Sequence, residues 1–215
     1  NGSTPDVAIA GAIKKEHIGG VILFDKNYSM RSITRALNTN LQTIAKDSGN
    51  PPLIIATDHE GGRVSRDPFI PQVAPAQELG EAGCPESAVS AAKIIAKGLK
   101  QDGINTDFAP DADTGFGSAI GDRSFGTNAH TVSTCVEAQV QEYNSAGIIS
   151  SAKHFPNHGP ATVDSHLGLP TINHSMDTIV THDLPSFKAA IKKDVPMVML
   201  GHLVYPALDA KKPAS

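Results

Sequence analysis

The sequence predicts an α/β fold in which parallel strands alternate with helices, as in a (β/α)8 TIM barrel, but with only about five of the eight units. Short apolar runs alternate with longer segments of helical spacing, a pattern typical of parallel strands joined by right-handed crossovers. Most of the runs also lead into polar clusters, and in a barrel the carboxyl ends of the strands share one mouth. A whole barrel takes about 250 residues, so the 215 residues present predict an incomplete barrel.

Five apolar runs, most of them rich in Val and Ile, predict buried strands. They are GGVILF (19–24), PLIIATD (52–58), INTDFAPDAD (104–113), IISSAKHF (148–155) and VPMVMLGH (195–202). An open doubly wound sheet fits the same alternation, but it would gather ligand residues at one switch point. Four of the five runs lead into polar clusters, which favours the barrel.

Helical spacing of apolar residues fills the segments between the strands. In residues 86–100, for example, Ala88, Ala92, Ile95 and Leu99 fall on one face. The predicted helices are 5–18, 30–46, 86–100, 131–145 and 184–193. Because strands and helices alternate without a break in composition, residues 1–215 are expected to form a single partial-barrel domain.

Charge and hydropathy exclude several classes of partner. The formal net charge is -4 with no block of like charges, which argues against nucleic acid and against an anionic membrane surface. No apolar run approaches the roughly 20 residues that span a bilayer. The two cysteines, Cys84 and Cys135, are too few for a disulfide framework, and both are expected to be ordinary packing residues. The compartment stays open on this basis, cytoplasmic or secreted.

The loop KHFPNHGPATVDSH, residues 153–166, concentrates groups that carry protons or bind metals. Its prolines and glycine exclude a helix. One interpretation is a metal site formed by His154, His158, Asp164 and His166. The spacing of His154 and His158 would suit a helix, where residues i and i+4 share a face, and the proline between them argues against it.

A second interpretation of this loop is acid/base chemistry. Asp164 and His166 lie two residues apart in an extended segment, so their side chains point the same way. The carboxylate can then orient the imidazole and leave its other nitrogen free for proton transfer. A solvated polar loop is the third interpretation, and the Asp-x-His spacing alone does not decide among them.

Other strand ends carry residues suited to a hydroxyl-rich ligand. TDHEGGRVSR (57–66) places Asp58 at the end of a strand and Arg66 shortly after a Gly-Gly turn. IGDRSFG (120–126) carries Arg123, and AKHF ends a strand with Lys153 and His154. Each motif by itself also fits a structural turn or a solvated loop.

Together, DHEGGRV, GDRSFG, KHFPNHGPATVDSH and MLGHLVYP resemble, in order, the motifs of glycoside hydrolase family 3, most closely its β-N-acetylglucosaminidase branch. The resemblance implies a retaining hydrolase of terminal β-linked N-acetylglucosamine, with a GlcNAc-containing saccharide or glycoconjugate as ligand. It implies that His166 is the general acid/base and Asp164 its partner. It further implies that Asp58, Arg66, Arg123, Lys153 and His154 bind the sugar, with no metal and no cofactor.

Four departures from the family pattern matter. Asn157 and Pro160 replace residues usual in the family, a glycine in the case of Asn157, and asparagine is expected to keep the same turn because it tolerates a left-handed backbone. The Ser-Asp-Asp-like motif of the nucleophile is not found, and neither is the first strand, so the chain resembles strands two to six. A missing segment or a second chain is expected to complete the barrel, and residues 1–215 alone are expected to be inactive. A non-catalytic sugar-binding module and a metal-dependent hydrolase remain the alternatives.

Overall fold

A parallel five-stranded sheet, with helices between successive strands, organises the chain. The structure, a computed structural model, describes residues 2–163 and 167–215. The strands of the main sheet are β1 (Gly20–Leu23), β2 (Ile54–Thr57), β5 (Thr106–Asp107), β6 (Ile149–Phe155) and β7 (Met197–Leu200). A separate antiparallel hairpin pairs β3 (His59–Gly61) with β4 (Val64–Ser65).

The sheet confirms the predicted partial barrel. Its spatial order is β1-β2-β5-β6-β7, and every neighbouring pair is parallel. This order follows the chain without the reversal that defines the switch point of a doubly wound sheet. Among the described residues the sheet stays open, and the edge strands leave Ile22, Val198 and Leu200 partly exposed.

The helices agree with the predicted spacing. They are α1 (Val7–Gly11), α2 (Arg31–Asp47), α3 (Ala76–Ala82), α4 (Glu86–Gln101), α5 (Ala129–Ala146), α6 (Met176–Thr178) and α7 (Pro185–Lys192). Single π-helical turns continue α1 over Ala12–Glu16 and α6 over Ile179–Asp183. In α4 the predicted face, including Ala88, Ala92, Ile95 and Leu99, is completely buried. None of the helices described is both long enough and apolar enough to cross a membrane.

The third strand is shorter than predicted. The apolar run 104–113 forms a strand only over Thr106–Asp107, and an isolated bridge between Asp111 and Lys153 resumes the pairing. Pro110 lies between the two and has no N–H to donate to a ladder. This break directs Asp111 and the residues after it across the carboxyl end of the sheet.

Cys84 and Cys135 form a disulfide, so their assignment as ordinary packing residues was wrong. Their Cα atoms lie 5.2 Å apart although the residues are separated by 51 positions in sequence. Cys84 precedes the first turn of α4, and Cys135 faces the core from α5. Helices α4 and α5 pack against each other, which brings the two thiols within bonding range. Cysteine count and spacing could not show this, because the proximity arises only from the packing of the two helices.

Candidate functional site

A cavity opens at the carboxyl ends of the strands. It has a volume of about 480 Å³. All five predicted sugar-binding residues line it: Asp58, Arg66, Arg123, Lys153 and His154. Glu60, Arg63, His158 and His202 line it as well. The structure therefore brings the five residues, which come from separate loops, together at one pocket as predicted.

Each strand end delivers a different part of this pocket. Asp58 follows β2 directly, and Lys153 lies within β6. Glu60 comes from the β3–β4 hairpin, whose turn uses Gly61 and Gly62 with φ values of 97° and 54°. These left-handed backbone angles favour glycine, which explains the Gly-Gly pair in the motif.

Five charged side chains form one ion-pair network at the cavity: Asp58, Glu60, Asp111, Arg123 and Lys153. The Lys153 ammonium lies 2.8 Å from Asp58 and 2.7 Å from Glu60. The Arg123 guanidinium binds Glu60 in a bidentate manner, with Nε–Oε2 and Nη2–Oε1 distances of 2.8 and 2.7 Å. It also approaches Asp111 at 3.3 Å. Planar paired contacts of this kind fix orientation as well as charge.

Glu60 is the centre of this network. Burial alone would raise the pKa of its carboxyl, but the adjacent Lys153 and Arg123 lower that pKa to about 2. Burial would likewise lower the pKa of Lys153, yet Glu60 and Asp58 raise it above its ordinary value. Both cations therefore stay charged at neutral pH, and Asp58, whose side chain is 23% exposed, presents a carboxylate toward the cavity.

A second pair, His154 and Asp113, forms another part of the wall. The imidazole Nδ1 lies 2.7 Å from Asp113 Oδ2, and Asp113 Oδ1 accepts the backbone N–H groups of His154 and His158. Burial lowers the pKa of His154 to about 4 and raises that of Asp113 to about 6. At pH 7 a neutral imidazole therefore donates through Nδ1 to the carboxylate, which leaves Nε2 as an acceptor.

Sequence reasoning missed three acidic residues of the site. Glu60, Asp111 and Asp113 are all buried and hold the cationic and imidazole groups in place. Their signal was present, since the acidic residue of EGG follows one predicted strand and PDAD ends another. Closely spaced acidic residues are equally common in solvated loops, and only the fold shows that these three carboxylates are buried and paired.

The predicted dyad, Asp164 and His166, lies outside the described residues. The segment before it is well anchored. Asn157 is buried: its Oδ1 accepts from the Thr114 and Gly159 backbone N–H groups, and its Nδ2 donates to the Thr114 carbonyl. Tyr205 donates its hydroxyl to the Asn157 carbonyl at 2.6 Å.

The expectation of a left-handed backbone at Asn157 was wrong. The described non-glycine residues with positive φ are His17 and Asp194. Asn157 serves through its side chain, which fastens the loop to the segment after β5. A side-chain amide both donates and accepts hydrogen bonds, so it can replace backbone contacts in this way. The expectation considered only the backbone angles of Asn157 and did not include these side-chain bonds.

The metal interpretation of the His-rich loop depended partly on Asp164 and His166, which lie outside the described residues. Within the described ranges, His154 has potential metal-ligating neighbours in Asp111 and Asp113. His158 contributes to neither of the two potential ligand groups found there. The set of four ligands proposed from sequence is therefore not assembled by the part of the loop that the structure describes.

Comparisons with known proteins agree on one family. Residues 4–215 match the glycosyl hydrolase family 3 N-terminal domain. The chain is similar to β-hexosaminidase A of Pseudoalteromonas piscicida, with 38% identity over 210 residues, covering 93% of this chain and 35% of that protein. It is also similar to the β-hexosaminidase of Methylococcus capsulatus, with 35% identity over 202 residues, covering 91% and 59%.

Solved structures similar to this chain belong to the same family or share its fold. A glycoside hydrolase family 3 β-N-acetylglucosaminidase from Paenibacillus sp. str. FPU-7 superimposes with a TM-score of 0.95 at 36% identity, covering all of this chain and 41% of that one. NagZ from Neisseria gonorrhoeae, in complex with N-trifluoroacetyl-D-glucosamine, gives a TM-score of 0.90 at 31% identity, covering 99% and 64%. The chain thus spans less than two thirds of each of these four relatives.

Proposed function

The chain belongs to glycosyl hydrolase family 3. We propose that the protein removes terminal β-linked N-acetylglucosamine residues from saccharides or glycoconjugates. The observation that carries the proposal is the cavity at the strand ends, where carboxylates, cations and a neutral imidazole converge. NagZ from Neisseria gonorrhoeae, which shares this fold, has been solved with an N-acylated glucosamine derivative. The curated relatives are named β-hexosaminidases.

The chemistry of the cavity suits a sugar. Each hydroxyl of a pyranose both donates and accepts hydrogen bonds, so its binding site needs fixed partners of both kinds. Asp58 and Nε2 of His154 supply acceptors, while Lys153, Arg123 and Arg66 supply donors. Because Glu60 and Asp113 already hold the buried groups in place, little side-chain entropy is lost when a sugar binds.

We assign the general acid/base to His166 and its orientation to Asp164. In a retaining mechanism the acid protonates the leaving oxygen while a carboxylate attacks the anomeric carbon, and the same group then activates water against the glycosyl-enzyme. An imidazole with an ordinary pKa near 6.5 can serve in both steps around neutral pH. The anchored segment at Asn157 supports this assignment, since it fixes one end of the loop that carries the dyad.

The attacking carboxylate is expected outside this chain. No Ser-Asp-Asp-like motif occurs in residues 1–215, and Asp209 lies in an exposed terminal segment. We infer that further strands, from the rest of the protein or from a second chain, close the barrel and supply the nucleophile. The partly exposed edge strands β1 and β7 support this inference, because unpaired edges of apolar strands are otherwise a liability.

The test is a His166→Ala variant of the full protein, assayed on aryl β-N-acetylglucosaminides with poor and good leaving groups. Loss of acid/base catalysis should slow turnover of the poor leaving group by about 10²- to 10⁴-fold. The good leaving group should be less affected in its first step, because it needs little protonation. His130→Ala, on the exposed surface of α5, is the matched control and should be unaffected.

Unchanged rates with both substrates would refute the assignment of His166. A wild-type protein that binds N-acetylglucosamine but turns over neither substrate would instead be a sugar-binding module. Activity that is lost on chelation, restored by metal and unaffected by His166→Ala would favour the metal-dependent hydrolase.

A further inference from the structure

A second cluster of ligating side chains lies outside the cavity, where the chain returns from the loop toward α7. We call His174, His182 and Asp183 the loop-base cluster. His182 and Asp183 belong to the π-helical turn that continues α6, and His174 lies in the segment before α6. Their ligand atoms all lie within 4.8 Å of one another. None of the three lines the sugar cavity.

Both imidazoles converge on one carboxylate. His174 Nδ1 lies 2.8 Å from Asp183 Oδ2, and His182 Nδ1 lies 2.9 Å from Asp183 Oδ1. The rings meet edge to face with centroids 6.0 Å apart. A Zn²⁺ ion takes nitrogen and oxygen ligands at about 2.0–2.2 Å in a tetrahedron, so adjacent ligand atoms are about 3.3–3.5 Å apart. The observed N–O separations need to widen by only about half an ångström to admit the ion.

The charge balance distinguishes this cluster from an ordinary hydrogen-bond network. Asp183 is completely buried, and its ion-pair partners among the described residues are both histidines. A buried carboxylate without a fixed cation is costly, and a divalent ion supplies the missing charge. The other potential ligand group consists of Asp111, Asp113 and His154. The Arg123 guanidinium already lies 3.3 Å from Asp111, so its positive charge would repel a metal ion there.

The cluster is also preorganised and accessible. Asn157 donates its Nδ2 to Asp183 Oδ1 at 2.8 Å, a supporting contact of the kind that orients metal-ligating carboxylates. The side chains of His174 and His182 are 25% and 35% exposed, which leaves a path for the ion and for a water in the fourth position. Two imidazoles and a carboxylate with an open position form a common ligand set for zinc.

We propose that His174, His182 and Asp183 form a Zn²⁺ site that fastens the base of the loop carrying Asp164 and His166. Zinc at Asp183 would link α6 and the turn after it to Asn157, and through Asn157 to the Thr114 backbone. The site does not depend on the proposed hydrolase activity, since it requires neither substrate nor nucleophile. Because zinc binds only the folded cluster, it should raise the midpoint temperature of unfolding.

The experiment is a zinc titration of the metal-free full protein against a chromogenic chelator, with variants His174→Gln, His182→Gln and the double variant. Gln keeps a polar side chain of similar reach and leaves Asp183 bound to Asn157. Wild type should bind one more Zn²⁺ per chain than the double variant, and each single variant should bind that ion at least tenfold more weakly. His130→Gln, a surface histidine on α5, should match wild type. His154→Gln, which removes the imidazole of the other potential ligand group, should also retain the ion.

Two further readouts separate ligand loss from misfolding. Every variant without metal should still melt cooperatively, and only the loop-base variants should lose the increase in melting temperature that zinc produces. Co²⁺ in wild type should give the visible absorption of a tetrahedral site, which the double variant lacks. Equal zinc stoichiometry and affinity in wild type and the double variant would overturn the proposal. Loss of the ion in His154→Gln alone would overturn it too, because the site would then lie in the sugar cavity.

Discussion

Replacing Glu60 with glutamine tests the central role of its carboxylate in the buried charge network. Glu60 is 8% exposed and contacts both Lys153 and Arg123 at 2.7 Å. Glutamine keeps the shape of the side chain and removes its charge. Both cations would stay buried, each with one carboxylate partner left, Asp58 for Lys153 and Asp111 for Arg123.

Two estimates of the cost agree. Removing one partner of a buried ion pair costs about 3–5 kcal/mol, and the remaining partners place Glu60→Gln at the lower end. Independently, the carboxyl has an ordinary pKa of 4.5 and a pKa of about 2 in the fold. Since a tenfold change in proton affinity is about 1.4 kcal/mol, this difference corresponds to about 3 kcal/mol. We therefore expect a loss of about 3 kcal/mol at pH 7.

The depressed pKa of Glu60 determines the direction in which the stability changes with pH. Because its pKa is depressed in the fold, ionised Glu60 stabilises the protein above the unfolded-state pKa of 4.5, and this stability is lost as the pH falls toward about 2. The difference between wild type and Glu60→Gln should shrink from about 3 kcal/mol at pH 7 to about 1 kcal/mol at pH 3. Urea unfolding at both pH values measures it, with Glu16→Gln, at an exposed position, as control. A loss below about 1 kcal/mol at pH 7, or one independent of pH, would refute this reasoning.

The remaining predictions concern the supports of the site. The double variant Cys84→Ser/Cys135→Ser should lose about 2–4 kcal/mol of stability in thermal unfolding, because the disulfide closes a loop of 51 residues. Equal stability of the wild type with and without reductant would contradict this prediction. Gly80→Ala should lower the melting temperature and weaken N-acetylglucosamine binding, because its Cβ would meet the Phe125 carbonyl two residues after Arg123. The control Gly11→Ala, whose Cβ meets nothing within 4 Å, should be neutral or slightly stabilising; equal effects of the two would contradict the close packing of α3.

Sequence patterns predicted the main sheet and the long helices because those elements are buried in regular ways. Strands β1, β2, β6 and β7 all lie within the apolar runs that predicted them. Helix α4 was predicted to within one residue at its end, since its alanine-rich face repeats at helical spacing. The β3–β4 hairpin and helix α3 were missed. Their two to seven residues are too few for a periodic signal.

The site was predictable where one residue type at a strand end identifies a function, and not where the function depends on a partner distant in sequence. Lys153 and Asp58 could be placed at the same edge of the sheet, but the bidentate contact of Arg123 with Glu60 joins residues 63 positions apart. The same limitation hid the disulfide and the role of Asn157. Each of these contacts arises from tertiary packing, which no local pattern reports.

The most direct test of the account is calorimetric titration of N-acetylglucosamine into wild type, Asp58→Asn and the control Asp47→Asn. Asp58 offers a partly exposed carboxylate to the cavity, whereas Asp47 lies exposed at the end of α2. A hydrogen bond from a sugar hydroxyl to a charged acceptor contributes about 1.5–3 kcal/mol, so Asp58→Asn should weaken binding by about 10- to 100-fold, while Asp47→Asn should bind like wild type. Equal affinities in all three proteins would contradict the claim that the strand-end cavity binds the sugar.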